Sequence, residues 1–561
     1  VLQRTAQRLA PQARRWHAAH RLAAVLGGLL MLAGLGGLVT GYIGLDVDST
    51  RVGDTPVTLF QASDAPPGPV VVVAHGFAGS RQLMHPFAVT LARNGYRALV
   101  FDFPGHGRNP TPLAGQIGDD ARAAALLDAM SGVIEFARTL PGADGGLALL
   151  GHSMAGDIAT RCAGDRADEG PGIAAIVAVS PYLSLPLDQL PLVNLLFVYG
   201  AWEPQVIQAQ GREAVAAAAG IDPAAVDTDT TYGRFEDGTA RRLVIADGVE
   251  HIGVLYSATS LRAARDWLDA AFQRGARAGG RGGGQAGDQR TGPEAGQGSS
   301  QDGTGTRPGA DPDGTIDHRG PWLGLYYLGV LLLAWPLALR LPRVSAERLG
   351  AGLAWRRLWP IAVLPALLTP VLLWPVPTDF LAIAIGDYIA LHFGLYGLLT
   401  LIGLRRAGAL PRLGGSSVRA LFAAIAMVAL FETLALSLPT DLFIASYLPA
   451  PHRLGTVVAL FAGTLLWFIA DEWLTRGPGT PRFGYAFTKA LFLLSLMLAV
   501  ALNLSELFFL VIIIPAILVL FLVYGLFSGW IHRRTGQPLV AAVTNAFAFA
   551  TAIAVSFPLL G

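Results

Sequence analysis

The sequence predicts a molecule of two parts. One is an α/β domain, a mostly parallel sheet flanked by helices; the other is an all-α multi-span transmembrane domain. Three observations carry this. Of 561 residues, 52% are hydrophobic and 14% charged, and the mean hydropathy is +0.47. An ordinary soluble protein carries about 25% charge, so a wholly soluble chain is excluded. The apolar residues are also unevenly spread: residues 45–320 read as water-soluble, whereas 321–561 are mostly long apolar runs. Within 46–273, short strand-like runs alternate with helix-like stretches, the pattern of a parallel α/β sheet.

Taken in order, residues 1–21 form a basic segment with Arg4, Arg8, Arg14, Arg15 and Arg21 around Trp16. The uncharged run 22–45 is long enough to span a bilayer and is read as an uncleaved transmembrane anchor. The α/β domain occupies 46–273. Residues 274–320 are dominated by Gly and cannot bury a core, so a disordered linker with an r.m.s. span of about 35–40 Å is expected. Eight spans follow in 321–561, at about 321–340, 357–375, 379–404, 418–438, 454–474, 485–503, 505–531 and 538–560.

The cations orient these spans. With the N-terminus in the cytoplasm, the inside loops hold Arg340 to Arg357, Arg405 to Arg419, Arg476 to Lys489, and Arg533 with Arg534. The outside loops hold only Arg453. This satisfies the positive-inside rule for a multi-pass protein of the cell membrane and puts the α/β domain outside the cytoplasm. Lys489 is the sole lysine among 41 Lys and Arg residues, a coding bias that suggests a bacterial source.

The chemistry-bearing motifs lie in the α/β domain. Val70–Ala74 is a β-branched run ending in His75-Gly76-Phe77. A helix-like stretch (Met84–Asn94) leads to Ala98–Phe101 and Asp102-Phe103-Pro104-Gly105-His106-Gly107. After a helix-like stretch near 119–139, Leu147–Leu150 runs into Gly151-His152-Ser153-Met154-Ala155-Gly156 and another helix-like run. A serine at a tight strand-to-helix turn needs small neighbours, because the turn brings its backbone against adjacent elements; this is the nucleophile-elbow arrangement. Ile173–Ser180, Asn194–Tyr199 and Arg242–Ala246 read as further strands. The second leads into Gly200-Ala201-Trp202-Glu203 and the third into Asp247–His251.

With these motifs in this order, about residues 55–273 resemble the α/β-hydrolase family, with Ala155 standing where the family has Gly. The resemblance implies an α/β hydrolase fold and a triad in the order Ser, acid, His. Ser153 would be the nucleophile, Glu203 the acid and His251 the base, with oxyanion donors at the backbone N–H of Phe77 and Met154. Asp222, Asp227, Asp229 and Asp247 compete for the acid's place. Asp247, four residues before His251 on one loop, is poorly placed to orient its ring. His75, His106 and His152 read as residues that hold loops.

The activity so implied is serine-dependent hydrolysis of an ester, of a lipid or acylated substrate, through an acyl-enzyme. A peptidase or acyltransferase can run on the same triad. A transporter or scaffold with a regulatory hydrolase-like domain is the alternative of a different class. Net charge +1 and the lack of a basic patch argue against nucleic acid as a partner. The single Cys162 excludes a disulfide framework, and no ligand spacing or phosphate cradle suggests a metal or cofactor. The expected partners are the lipid bilayer and an ester, lipid or peptide substrate.

Only Pro181–Val193 lies between two of the strands, too little for a sizeable cap. The membrane part or the bilayer surface is expected to cover the site instead. Ionisable residues inside spans are costly, so Asp387, Glu432 and His392, placed toward the outer leaflet, form a candidate membrane substrate site. Pairing with hydroxyls between helices is the competing reading. Glu506 lies at another outer turn. Asp471 and Glu472, near an inner end, read as interfacial.

Overall fold

The computed structural model describes residues 2–115, 119–165, 172–274, 316–378 and 380–561. The strands are β1 (Leu45–Val52), β2 (Thr55–Ala62), β3 (Val70–Ala74), β4 (Arg97–Phe101), β5 (Leu147–His152), β6 (Ile173–Val179), β7 (Asn194–Gly200), β8 (Thr231–Tyr232) and β9 (Arg241–Ala246). They form one sheet in the order β1-β2-β4-β3-β5-β6-β7-β9-β8. The six strands from β4 to β9 in that order are parallel, and β1, β2 and β8 are antiparallel additions at the edges.

The helices of this part are α1 (Leu2–Thr40), α2 (His85–Arg93), α3 (Asp120–Arg138), α4 (Met154–Asp165), α5 (Gln205–Ala219) and α6 (Ala258–Ala271). Strand alternation divides the core into two layers. Val70, Val72 and Ala74 pack toward α3, α4 and α5, whereas Val71 and Val73 pack toward α2 and α6. Such doubly covered strands read as continuous apolar runs, which is why β3 is all valine and alanine. The edge strand β1, with sequence LDVDSTRV, is mostly exposed, and its charges block further pairing.

The C-terminal part consists of α7 (Arg319–Ala338), α8 (Trp355–Leu373), α9 (Gly386–Arg406) and α10 (Val418–Glu432), then α11 (Leu438–Phe443), α12 (Leu454–Leu474), α13 (Gly484–Leu502), α14 (Leu504–Thr535) and α15 (Leu539–Ser556). A π-helical turn, Thr433–Ser437, joins α10 to α11. Among the described residues, nine helices are long and apolar enough to cross a membrane, with Ala18–Thr40 of α1 as the first and Val418–Phe443 as one. The expected span 379–404 starts later than its apolar sequence suggested. Ile385 adopts φ +62 and Ile383 bridges to Leu559, so the helix begins at Gly386; Asp379 lies outside the described residues.

α1 packs on α7 through glycines. A Cβ on Gly34 would stand 2.7 Å from Tyr326 N, and one on Gly329 2.6 Å from Met31 N. Small residues of this kind let membrane helices approach backbone to backbone. The α/β domain is thus inserted between two paired helices, and Arg93 of α2 clips both junctions, donating to Gly41 O (2.9 Å) and Ile316 O (3.2 Å). Ile316 is fully buried in the α2/α6 layer, and Asp317 N donates to Thr90 Oγ1 at 3.0 Å. Residues 316–320 therefore belong to the fold rather than to the linker, because an apolar side chain there fills the core. The rest of the expected linker, 275–315, lies outside the described residues.

Candidate active site

β5 ends at His152 and α4 begins at Met154, so Ser153 alone makes the turn. Its φ is +53, a left-handed conformation that costs energy for any residue with a Cβ. Ser153 N donates to Val179 O (2.8 Å) and Gly156 N to Ser153 O (2.9 Å), which holds the turn. Crowding explains the small neighbours. A Cβ on Gly151 would meet Ala155 O at 2.3 Å, and one on Gly76 would meet Ser153 Cβ at 2.9 Å.

Glu203, in the turn after β7, is buried. Its Oε1 accepts from Gly200 N (2.9 Å) and from the Ser180 hydroxyl, and its Oε2 lies 3.3 Å from His251 Nδ1. His251 follows β9. His152, the residue before Ser153, bonds through Nε2 to the His251 carbonyl at 3.0 Å, and the two rings lie 4.9 Å apart. Glu203 and His251 are thus joined and tied to the serine turn. A hydrogen bond from Ser153 Oγ to the His251 ring is not formed; unliganded sites commonly leave this link open. None of the competing aspartates bonds His251. Asp222 caps a short turn through Ala224 N at 2.8 Å, and Asp247 is exposed.

Phe77 follows β3, and Met154 is the first residue of α4. The first N–H groups of a helix have no partner one turn earlier, and its N-terminus favours negative charge. The loop carrying Phe77 is braced by a second loop. Buried Asp102 accepts from Arg81 N (2.7 Å), Arg81 Nη1 (2.5 Å) and Arg108 N (3.1 Å). Gly107, at φ +52, passes so close that a Cβ would lie 2.4 Å from Asp102 Oδ1. His75 accepts from Phe103 N through Nε2 (3.2 Å), which leaves its Nδ1 to donate to Gly76 O (2.8 Å). Burial pushes His75, His106 and His152 below the ordinary imidazole range, so all three are neutral supports.

The helical region covers this side of the site. The Phe77 ring packs on Phe509 of α14, centroid to centroid 4.2 Å, with the Arg122 guanidinium 5.2 Å from its own centroid. Ser446 N donates to Ser80 Oγ at 2.9 Å, and Arg108 pairs with Asp441 at 2.5 Å. Leu559 exchanges backbone bonds with Gly105 and Leu113, each 2.8 Å. Arg453, 1% exposed, donates to Gly107 O, Gly105 O, Ala554 O and Phe557 O. Neither Ser180 nor Phe509 carries a local sequence signal. Arg453 does, as the single cation of the outside loops.

Asp387, Glu432 and His392 are not joined to one another by a hydrogen bond or ion pair among the described residues. Asp387 lies in the first turn of α9, where its carboxylate accepts from Tyr388 N (2.9 Å) and Phe380 N (3.1 Å). His392 sits between Tyr388 OH (3.4 Å) and Ser495 Oγ (3.2 Å). Glu432 is buried at the end of α10, with no hydrogen bond or ion pair to either among the described residues. Glu506 is paired with Asn503 Nδ2 at 2.7 Å in the cap of α14, beside a cavity of about 560 Å³ between the ends of α8, α9, α13 and α14. Asp471, Glu472 and Lys489 are buried among the helices, with Lys489 inside α13 rather than in a loop. Lys489 pairs with Asp471 and lies 4.0 Å from the Tyr485 ring centroid, and Glu472 pairs with Arg476 at 3.2 Å. Such pairing offsets the cost of taking these charges out of water. No group of three or more metal-ligating side chains occurs among the described residues.

A family model described as serine aminopeptidase, S33, matches residues 65–213. Two uncharacterized proteins from strains of Mycobacterium tuberculosis are each 34% identical over 119 residues, 21% of this chain and 38% of theirs. The match therefore spans less than two fifths of those relatives. Among solved structures, a dienelactone hydrolase from Anabaena variabilis is 20% identical with TM-score 0.29, over 41% of this chain and 97% of that one. An esterase from Pyrobaculum calidifontis is 15% identical with TM-score 0.29, over 45% and 93%. The family match, the order of the motifs and the sheet topology together give the N-terminal region of this chain the α/β hydrolase fold, followed by an all-helical region with several apolar helices.

Proposed function

We propose that this chain is a membrane-bound serine hydrolase that cleaves the ester bond of a lipid or acylated substrate through an acyl-enzyme. The observation that carries this reading is the contact of His251 Nδ1 with buried Glu203, 3.3 Å, beside a serine turn at φ +53. With its Nδ1–H given to Glu203, the imidazole keeps Nε2 as the base. Nε2 takes the Ser153 proton as Oγ bonds to the ester carbonyl carbon. The N–H groups of Phe77 and Met154 receive the oxyanion. Collapse breaks the C–O bond, and His251 returns the proton to the departing alcohol. Water then repeats the sequence on the acyl-enzyme and releases the acid.

An apolar rim supports an acyl substrate. The loops after β6, β7 and β9 expose Tyr182, Trp202 and Ile252 at the sheet edge that bears Ser153. The loops after β3 and β4, at the same edge, dock on the helical region. Exposed large apolar and aromatic side chains around the site suit an amphiphile. The nine apolar helices and the inside loops rich in arginine support a multi-pass cell-membrane protein with its N-terminus in the cytoplasm and the hydrolase domain outside.

Peptide hydrolysis is the second reading, favoured by the description of the matching family. Full-length protein treated with a fluorophosphonate and assayed on p-nitrophenyl esters, lipid esters and peptide amides separates the two. Ester turnover and covalent labelling that both vanish in Ser153→Ala are expected. Labelling with cleavage of amides alone would favour the peptidase. Absence of labelling would reject the serine mechanism and favour a regulatory domain on a transporter or scaffold.

A further inference from the structure

Resting on the serine-hydrolase reading above, the geometry points to a part for the helical region in the chemistry itself: Arg453 and Phe509 are positioning residues for the oxyanion donor at Phe77.

The loop that presents the Phe77 N–H is not self-supporting. Ala78 is held at φ +58, a conformation that persists only where the surroundings over-determine it. The helical region supplies much of that surrounding. The Phe77 ring rests on Phe509, Ser80 Oγ accepts from Ser446 N, and Gln82 Oε1 accepts from Ser446 Oγ at 3.0 Å. From the α/β domain itself, His75 bonds Gly76 O, Arg122 and His106 lie against the Phe77 ring, and Asp102 grips Arg81 at the end of the loop.

Asp102 belongs in turn to the loop that Arg453 pins. Its guanidinium joins two carbonyls of that loop, Gly105 O and Gly107 O, to two at the end of α15, Ala554 O and Phe557 O. Four carbonyls are an unusual environment for a buried cation. They fit because the last carbonyls of a helix carry partial negative charge. A fork of rigid donors reaches all four, which the single ammonium of a lysine cannot do. Gly105 completes the match: at φ +74, a Cβ there would lie 2.4 Å from Leu559 O. The donor is thus held from two directions, through its own ring and through the chain Arg81, Asp102, Gly105, Arg453.

Oxyanion donors act on the transition state, so misplacing one lowers kcat and leaves substrate binding nearly intact. In the full-length protein, Arg453→Met and Phe509→Ala should each lower kcat for a short soluble ester by about 10–100-fold, the scale of a donor moved by an ångström, with KM within about threefold. Affinity for a trifluoromethyl ketone, whose adduct needs the oxyanion donors, should fall in parallel. Affinity for a ground-state amide analogue should not. Phe509→Tyr, which keeps the ring, should recover most of the loss. The melting temperature of each variant checks its folding, and Phe509→Ala carries the test should Arg453→Met not fold. Folded variants with wild-type kcat and ketone affinity, or a loss confined to KM, would overturn the inference. Activity retained in Ser153→Ala would instead remove the parent reading.

Discussion

Glu203 uses one carboxylate oxygen for support and the other for His251. Gly200 N and the Ser180 hydroxyl hold Oε1, which turns Oε2 toward the imidazole. Glu203→Gln keeps the shape but replaces an acceptor by an amide that no longer fixes the productive tautomer. It should lower kcat by about 10⁴, the scale seen when a triad acid is neutralised. Asp247→Asn, on the exposed loop, should change kcat less than about threefold. Steady-state rates on one ester compare the two, and reversed effects would reassign the acid. The place of Glu203 in a turn was legible in the sequence because a strand-like run ends just before Gly-Ala-Trp-Glu, whereas its role as the acid came only from the family resemblance. Ser180 was not, since a serine at a strand end has no pattern of its own. Lys489 was misread as a loop cation because apolar periodicity does not reveal that Asp471 of another helix waits beside it.

Elements with two buried faces were the easiest to read. β3, β5, β6 and β7 are short apolar runs bounded by Gly, Pro or Ser, and their limits agree with the sequence within two residues. The hairpin of β1 and β2 carries charges on its open edge and shows no such run. The start of α9 was hidden because residues 380–385 are as apolar as a span, yet their backbone bends to bridge Leu559. The Asp102–Gly107 loop shows what this bridge demands of its partner. Gly105→Ala combines a left-handed residue, a cost of about 1–2 kcal/mol, with the clash against Leu559 O. It should lower the melting temperature of the full-length protein and expose the loop to limited proteolysis; an unchanged melting curve and digestion pattern would show that the tail does not hold this loop. Gly115→Ala, also at positive φ but against Arg122 and Asp119 rather than Leu559, is the comparison that separates backbone strain from lost docking.

At the scale of the whole molecule, the hydrolase domain is an insertion between α1 and α7, clipped at both junctions by Arg93. Its side of the membrane is testable because Cys162 is buried and should stay silent to thiol reagents. A cysteine in place of exposed Asp64 should react with an impermeant maleimide in spheroplasts, whereas one in place of Arg412 should react only after permeabilisation. The opposite pattern would put catalysis in the cytoplasm. The closing of Leu559 and Arg453 onto the Gly105 loop also sets a clock. At about 5–20 residues per second, Leu559 leaves the ribosome roughly 20–90 s after Gly105 does. Until first Arg453 and then Leu559 have emerged, the Asp102–Gly107 loop lacks its helical partners. On the proposed reading, a lipid-cleaving site active during insertion would endanger the bilayer that receives the chain. If the further inference holds, the helices made last bring the contacts that arm the domain made first, and assembly itself would serve as the safety catch.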